Sequence, residues 1–377
     1  MSIINFRPIL FLFVLMLIIA ACSGPEADTL RTPSVVDSGS IPTASPTQFQ
    51  AAAGGDPTSE PAVDAPPTTE APPSETPAPD PASPTQSSSE TVPPSDATPT
   101  VAAPEATATS PPGAEDPAGL PEGVLPSHRV LAFYGHPSTP AMGILGEYSK
   151  EDLLGMLREQ AAAYEAADPS TPVKMALEII ATVAQPNPGE DGTYVLYTGD
   201  EWIQEYVDFT AANDMILILD LQIGHSTIRD EVERVRKWLE YPNVHIGLDP
   251  EFSTGPDRLP GEFIGEVDGN QVQIAVELLS QMALTNNLPP KILIVHQFEH
   301  EMIYNKDAIT PMPGVDIVLD MDGFGSPEAK IGNYNIFVGQ EFIEYGGIKL
   351  FYQQDAPLIT PEEIVSLDPP PAVVIYQ

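Results

Sequence analysis

Residues 215–251 read MILILDLQIGHSTIRDEVERVRKWLEYPNVHIGLDPE and contain two apolar runs on either side of a helical pattern. The runs at 215–221 and 244–248 are nearly continuous in Ile, Val and Leu, which is typical of strands buried on both faces of a parallel sheet. Between them, residues near 227–240 repeat apolar side chains at the spacing of one helix face. A strand, a helix and a second strand in this order predict a β–α–β unit with a right-handed crossover.

The same alternation continues over residues 127–377. Apolar runs predict eight strands, at 130–134, 173–181, 215–221, 244–248, 291–298, 316–321, 348–352 and 372–376. Helical patterns follow most of them, near 149–164, 200–212, 227–240, 271–284 and 360–363, whereas 301–313 holds at most a stunted helix. Eight strands in about 250 residues are typical of one closed barrel. We therefore predict an α/β fold, a (β/α)8 barrel of the TIM type; an open doubly wound sheet is the alternative.

The chain before residue 127 has a different composition. Pro, Ser, Thr and Ala dominate residues 22–126, where Phe49 is the only aromatic residue and Arg31 the only basic one. Such a segment buries too little apolar surface to offset its conformational entropy. We predict a disordered, low-complexity tether over 22–126, followed by the barrel domain at 127–377.

The first 22 residues have the order of a lipoprotein signal. Arg7 supplies a positive charge, an apolar run follows at 9–19, and the segment ends in Ala20, Ala21 and Cys22. This order resembles the lipobox of bacterial lipoproteins, which implies that residues 1–21 are removed as a signal peptide and that Cys22 is lipidated. The lipid would anchor the protein outside the cytoplasm, in the cell membrane or in an outer membrane where there is one. An uncleaved signal anchor is the alternative.

The charge of the chain argues against nucleic acid as a partner. The net charge is −39, from 54 acidic and 15 basic side chains, whereas phosphate binding needs clustered Lys and Arg. The same charge argues against a protein body that lies on an anionic membrane. Contact with the membrane is therefore expected through the lipid anchor alone.

Acidic residues gather at the predicted carboxyl ends of the strands, where barrel enzymes carry their active sites. Asp249 and Glu251 are two residues apart, so both point to the same side of their strand, and Asp320 and Asp322 repeat this arrangement. Crowded carboxylates cannot all ionise freely, so one can stay protonated as a general acid. We predict these four residues as catalytic, and a second group as supporting or binding residues: Asp220, His296 and Glu299.

The sequence Leu-Asp-Pro-Glu-Phe at 248–252 resembles the Asp-x-Glu end of strand four in glycosidases such as the family 25 lysozymes. The resemblance implies a glycoside hydrolase in which Glu251 is the general acid and Asp249 assists. The chain departs from that family at strand one, where the lysozymes carry an Asp and this sequence has Tyr134-Gly135-His136. We expect an extracellular or cell-wall glycan as substrate, bound on aromatic residues such as Tyr134, Tyr352 and Tyr376.

Two other functions remain open. His296 and His300, four residues apart, could hold Zn²⁺ or another divalent ion together with Asp220, Asp249, Glu251 or His136, as in a metal-dependent amidase or deacetylase. The glycosidase interpretation needs no cofactor. A barrel that binds a glycan without turnover is the third interpretation, because the fold alone does not determine function. Cys22 is the only cysteine of the chain, so the domain at 127–377 has no cysteine nucleophile.

Overall fold

The computed structural model of this protein describes residues 116–377 except Phe342. The predicted signal peptide, Cys22 and residues 22–115 of the predicted tether lie outside the described residues. Residues at the end of that predicted tether contact the barrel. Leu125 is buried among its inner residues, and the Asp116 carboxylate accepts a hydrogen bond from the Gly314 backbone N–H.

Eight parallel strands form a closed barrel. Each strand pairs with its neighbours in chain order, and the first strand also pairs with the last, so the sheet closes on itself. This confirms the predicted (β/α)8 architecture and excludes the open sheet. The barrel strands are β1 (Arg129–Gly135), β2 (Val173–Ala184), β3 (Ile216–Gln222), β4 (Val244–Asp249), β5 (Lys291–Gln297), β6 (Val315–Met321), β7 (Tyr345–Leu350) and β8 (Val373–Tyr376).

Helices connect most of the strands in the described part of the chain. They are α1 (Lys150–Ala167), α2 (Asp200–Ala212), α3 (Ile228–Leu239), α4 (Gly269–Asn286), α5 (Pro327–Phe337) and α6 (Pro361–Val365). Side-chain oxygens of Ser149 and Thr360 cap α1 and α6, as their sequences indicate. Between β5 and β6 the described chain forms only short 3-10 turns and a two-residue strand, which agrees with the predicted stunted helix. None of the described helices is long and apolar enough to cross a bilayer.

Three short strands lie outside the barrel ladder. Val195–Tyr197 pairs antiparallel with the end of β2, and Val267–Asp268 pairs with Ile303–Tyr304. The sequence patterns did not predict them. They extend the loops at the carboxyl end of the barrel.

The alternation of side chains along each strand separates two apolar layers. Residues that face outward, such as Leu217, Leu219 and Ile246, pack with the helices in the larger core. Residues that face inward form a smaller core inside the barrel. In β3 the inward positions are Ile216, Ile218 and then Asp220. The interior is therefore apolar at the amino end of the strands and polar at the carboxyl end.

Candidate active site

Eight buried polar residues meet inside the carboxyl end of the barrel. Each is at most 9% exposed. Seven barrel strands contribute to the group, which we call the inner polar cluster. Its members are Tyr134, Glu178, Asp220, Asp249, His296, Asp320, Asp322 and Lys349. The sequence predicted six of these eight as candidate site residues, and the fold brings those six together.

Two glycines make room for the inner polar cluster. Gly247 pairs with Asp220 in the sheet, and a Cβ atom there would lie 2.9 Å from Oε1 of Glu178. Gly347 pairs with Asp320, and a Cβ atom there would lie 2.7 Å from Oδ1 of Asp320. Real Cβ atoms do not approach so closely, so a larger residue at either position would displace a carboxylate.

His296 occupies the centre of the inner polar cluster. Its Nδ1 lies 3.0 Å from Oδ2 of Asp320, and its Nε2 lies 3.2 Å from Oε1 of Glu178. Burial alone would lower the pKa of His296. The hydrogen bonds to Asp320 and Glu178 outweigh burial, so the net effect raises the pKa well above its ordinary value. In this arrangement the imidazole carries a positive charge that offsets part of the surrounding negative charge.

Tyr134 and Lys349 orient the neighbouring carboxylates. The Tyr134 hydroxyl donates a hydrogen bond of 2.8 Å to Oδ2 of Asp220. Burial raises the pKa of Asp220 to about 6, although the nearby His296 opposes this rise. Lys349 forms an ion pair with Asp322 at 3.2 Å, and its ammonium lies 3.6 Å from the centre of the Tyr134 ring.

The pair singled out by its spacing, Asp249 and Glu251, lies at the entrance of the barrel. Asp249 ends β4, and Glu251 lies in the 3-10 turn Pro250–Phe252, where its backbone N–H donates to Oδ1 of Asp249 at 3.2 Å. Burial, followed by the charge of Asp220, raises the pKa of Asp249 to about 7. Burial and the charge of Asp249 raise the pKa of Glu251 well above its ordinary value. The pair therefore retains a transferable proton near neutral pH.

Several carboxylate oxygens of the inner polar cluster have no hydrogen-bond partner, although they are buried. They are Oε2 of Glu178 and Oδ1 of Asp220, Asp320 and Asp322. Ligand atoms of Glu178, Asp220 and His296 lie within 4.8 Å of one another, as do those of His296, Asp320 and Asp322. A buried cluster of carboxylates with one imidazole could hold a metal ion.

The histidine pair predicted as metal ligands does not come together. His300 is exposed, and its Nδ1 lies 3.0 Å from Oε1 of Glu341. His136 lies 3.1 Å from the Thr198 hydroxyl. Glu299, in the turn after β5, is partly buried and acts electrostatically on Glu251. Of the histidines predicted as ligands, only His296 lies in the inner polar cluster.

The three tyrosines predicted to bind sugar lie in different environments. Tyr134 belongs to the inner polar cluster. Tyr352, just after β7, is 40% exposed. Tyr376 is fully buried on the outer face of β8, where its hydroxyl lies 2.9 Å from the hydroxyl of Tyr164 in α1. Tyr352 is therefore the most exposed of these three rings and the one that an incoming ligand can contact.

Two members of the inner polar cluster, Glu178 and Lys349, were not selected from the sequence. Each is a single charged residue within an apolar run, at a position that alternation directs inward. A charged side chain on a strand that is buried on both faces is itself an indication of function, because an inward charge is costly without a partner.

Comparison with models of known protein families and with curated proteins finds no match for this chain. The case for its function therefore depends on the chemistry of the site.

Proposed function

We propose that this protein is a glycoside hydrolase that cleaves an extracellular or cell-wall glycan by carboxylate acid/base chemistry. The observation that carries this proposal is the placement of Asp249 and Glu251 at the entrance of the barrel, where burial and repulsion from neighbouring carboxylates favour retention of a proton. Glycoside hydrolysis needs such a protonated carboxyl to donate to the leaving oxygen. We assign this step to Glu251, with Asp249 supporting it.

The second requirement is an ionised carboxylate that acts as nucleophile or base. Asp322 suits this role because Lys349 forms an ion pair with it at 3.2 Å, and because it interacts electrostatically with Glu251. Asp320 lies deeper and accepts from His296, so we assign it to electrostatic support. Lys349 then steadies the negative charge of Asp322 and adds positive potential to the site.

Exposed aromatic rings near the carboxyl ends of the strands offer a surface for sugar rings. Phe324 follows β6 and is 49% exposed, and Tyr352 follows β7 and is 40% exposed. Both loops begin directly beyond members of the inner polar cluster. An aromatic face buries apolar area at low conformational cost, which suits the apolar faces of a glycan.

The proposed location follows from the amino-terminal sequence. A lipid on Cys22 would anchor the protein outside the cytoplasm, in the cell membrane or in an outer membrane. The predicted tether would then place the barrel within reach of wall or surface polymers.

The proposal is tested by hydrolysis of a panel of cell-wall and extracellular glycans, read as released reducing ends. We expect the wild-type protein to cleave at least one glycan and Glu251→Gln to lose roughly 10²–10⁴-fold in rate, the usual contribution of general acid catalysis. Glu262→Gln, an exposed carboxyl in the same loop, is the matched control and should retain the wild-type rate. Equal turnover by Glu251→Gln would contradict the assignment, and binding without turnover by the wild type would indicate a non-catalytic barrel.

A further inference from the structure

The side of Gly247 that faces the barrel interior is a point where three potential metal ligands converge. A Cβ atom on Gly247 would lie 2.9 Å from Oε1 of Glu178, 3.2 Å from Oδ1 of Asp220 and 3.4 Å from Nε2 of His296. Gly247 lies in β4. Asp220 and His296 lie in its two neighbours, β3 and β5, and Glu178 lies in β2, the strand beyond β3. The absent side chain thus leaves a small space surrounded by two carboxylates and one imidazole.

Hydrogen bonds behind the ligands orient them toward this space. Asp320 accepts from Nδ1 of His296 at 3.0 Å, and this hydrogen bond is the one that leaves the Nε2 lone pair of a neutral imidazole free to bind metal. The Tyr134 hydroxyl bonds Oδ2 of Asp220 at 2.8 Å, which leaves Oδ1 directed inward. Oδ1 of Asp220 is buried and has no hydrogen-bond partner. Hydrogen bonds such as those between Asp320 and His296 and between Tyr134 and Asp220 are typical of residues that orient metal ligands.

A proton satisfies this group less completely than a metal ion does. A hydrogen on Nε2 of His296 reaches Oε1 of Glu178 at 3.2 Å, but Oδ1 of Asp220 lies 3.8 Å away and stays unpaired. An unpaired buried acceptor is costly. Ligands that bind a tetrahedral ion at about 2.1 Å lie about 3.4 Å from one another. The two separations from Nε2 of His296 bracket that value, and all three ligand atoms lie within 4.8 Å of one another, so an ion could bind all three after a modest adjustment of the side chains.

Asp320 and Asp322 form the second acidic group around His296, and Lys349 places a positive charge beside it. Lys349 forms an ion pair with Asp322 at 3.2 Å, on the Nδ1 side of the imidazole. Glu178 and Asp220 have no Lys or Arg within ion-pair distance among the described residues. On the Gly247 side of the cluster, the negative charge of Glu178 and Asp220 is therefore offset only by His296 and, at longer range, by Lys349.

We propose that Glu178, Asp220 and His296 bind one divalent transition-metal ion beside Gly247. Two carboxylates and one imidazole favour Zn²⁺ or Mn²⁺ over Ca²⁺, which prefers six to eight oxygen ligands. The ion lies one inward position deeper than Asp249 on β4, so it supports the site from below. The binding site does not depend on the proposed glycan hydrolysis and can exist without it.

The test is metal binding by the full chain in detergent, in a Cys22→Ser background that removes the only thiol. After treatment with chelator, the protein is titrated with Zn²⁺ and with Mn²⁺ by calorimetry, and its thermal unfolding is followed by circular dichroism. Four substitutions are compared: Asp220→Asn removes a ligand at constant volume, Gly247→Ala fills the space, Asp320→Asn removes the support of His296, and His300→Ala removes an exposed histidine outside the site.

We expect one ion per chain and a higher melting temperature with metal for the parent and for His300→Ala. Asp220→Asn and Gly247→Ala should lose both effects, and Asp320→Asn should bind roughly 10- to 100-fold more weakly. Circular dichroism without metal establishes which variants fold. The proposal is overturned if the parent shows no saturable binding of either ion, or if folded Asp220→Asn binds as tightly as the parent. Neither result bears on glycan hydrolysis, which the Glu251→Gln assay tests separately.

Discussion

At the scale of single residues, the concentrated buried charge of the inner polar cluster lowers the stability of the folded protein. It contains five acidic side chains, and its only basic side chains are those of His296 and Lys349. Oxygens such as Oε2 of Glu178 remain buried without partners. A structural role alone would favour apolar residues here, as at the amino end of the same strands. This cost is the reason to interpret the cluster as functional.

Asp249 allows this cost to be measured. Burial raises the pKa of Asp249 to about 7 in the folded state, whereas an unfolded Asp titrates near about 3.9. The folded protein therefore binds the proton more tightly, and the stability due to this proton is lost as the pH rises from about 4 through about 7. Asn has no proton to lose. We expect Asp249→Asn to be more stable than wild type by about 1–3 kcal/mol above pH 8, since each pKa unit corresponds to about 1.4 kcal/mol.

Urea unfolding at about pH 4 and about pH 8.5 would check this prediction. The advantage of Asp249→Asn should be larger at the higher pH, while Asp257→Asn, an exposed carboxyl in the same loop, should show no such trend. A stability difference between Asp249→Asn and wild type that is the same at both pH values would contradict the prediction, because it would show that folding does not raise the pKa of Asp249.

Sequence spacing revealed part of this site and missed another part, for a physical reason. The spacing of Asp249 and Glu251 predicted that they lie together at the end of β4, although Glu251 lies in the 3-10 turn after the strand and not on the strand face that alternation predicted. Glu178 and His296 are 118 residues apart, and no local pattern indicates that their side chains meet. Strand faces can be predicted from alternation, but the partners across a barrel interior depend on register and on the glycines that make room.

At the scale of secondary-structure elements, the eight strands were predicted because parallel strands buried on both faces form continuous apolar runs. Helix α5 was not predicted. Its start signal, Ser326 followed by Pro327, matches the Thr360-Pro361 start of α6. Its apolar residues do not recur on one face, and the buried side includes Lys330, which donates to the backbone oxygen of Lys349 at 2.7 Å. A charged residue on the buried face obscured the helical period.

The contact between β8 and α1 leads us to expect different roles for Tyr376 and Tyr352. The Tyr376 hydroxyl lies 2.9 Å from that of Tyr164 and accepts from Gln160 at 3.0 Å, all on the outer side of the barrel. We expect Tyr376→Phe to lower the free energy of unfolding by about 1 kcal/mol, the usual value of one hydrogen bond, without changing glycan affinity. Tyr352→Ala should instead weaken glycan binding, with some loss of stability as well, because the Tyr352 ring stacks on Tyr376 with 5.2 Å between the ring centres. Denaturant unfolding and binding isotherms for both variants separate the two effects; a loss of affinity confined to Tyr376→Phe would contradict this assignment.

At the scale of the whole molecule, the amino-terminal sequence and the barrel make separate claims. The lipobox resemblance predicts a lipid anchor outside the cytoplasm. The inner polar cluster supports the separate proposal that the barrel hydrolyses a glycan. Growth with a clickable fatty acid tests the first claim. We expect the wild-type protein to incorporate the label and Cys22→Ser to lose it, because Cys22 is the only thiol of the chain. Equal labelling of the two proteins, or labelling of neither, would contradict lipidation at Cys22.

The central claim is that Glu251 donates a proton to the leaving group of a glycan. The most direct measurement compares wild type with Glu251→Gln on two aryl glycosides of the preferred sugar, one with a phenyl and one with a dinitrophenyl leaving group. Dinitrophenolate departs without a proton, whereas phenolate benefits from one. We predict that Glu251→Gln loses roughly 10²–10⁴-fold in kcat/KM on the phenyl glycoside and far less on the dinitrophenyl glycoside. An equal loss on both substrates, or no loss on either, would contradict the role of Glu251 as the general acid.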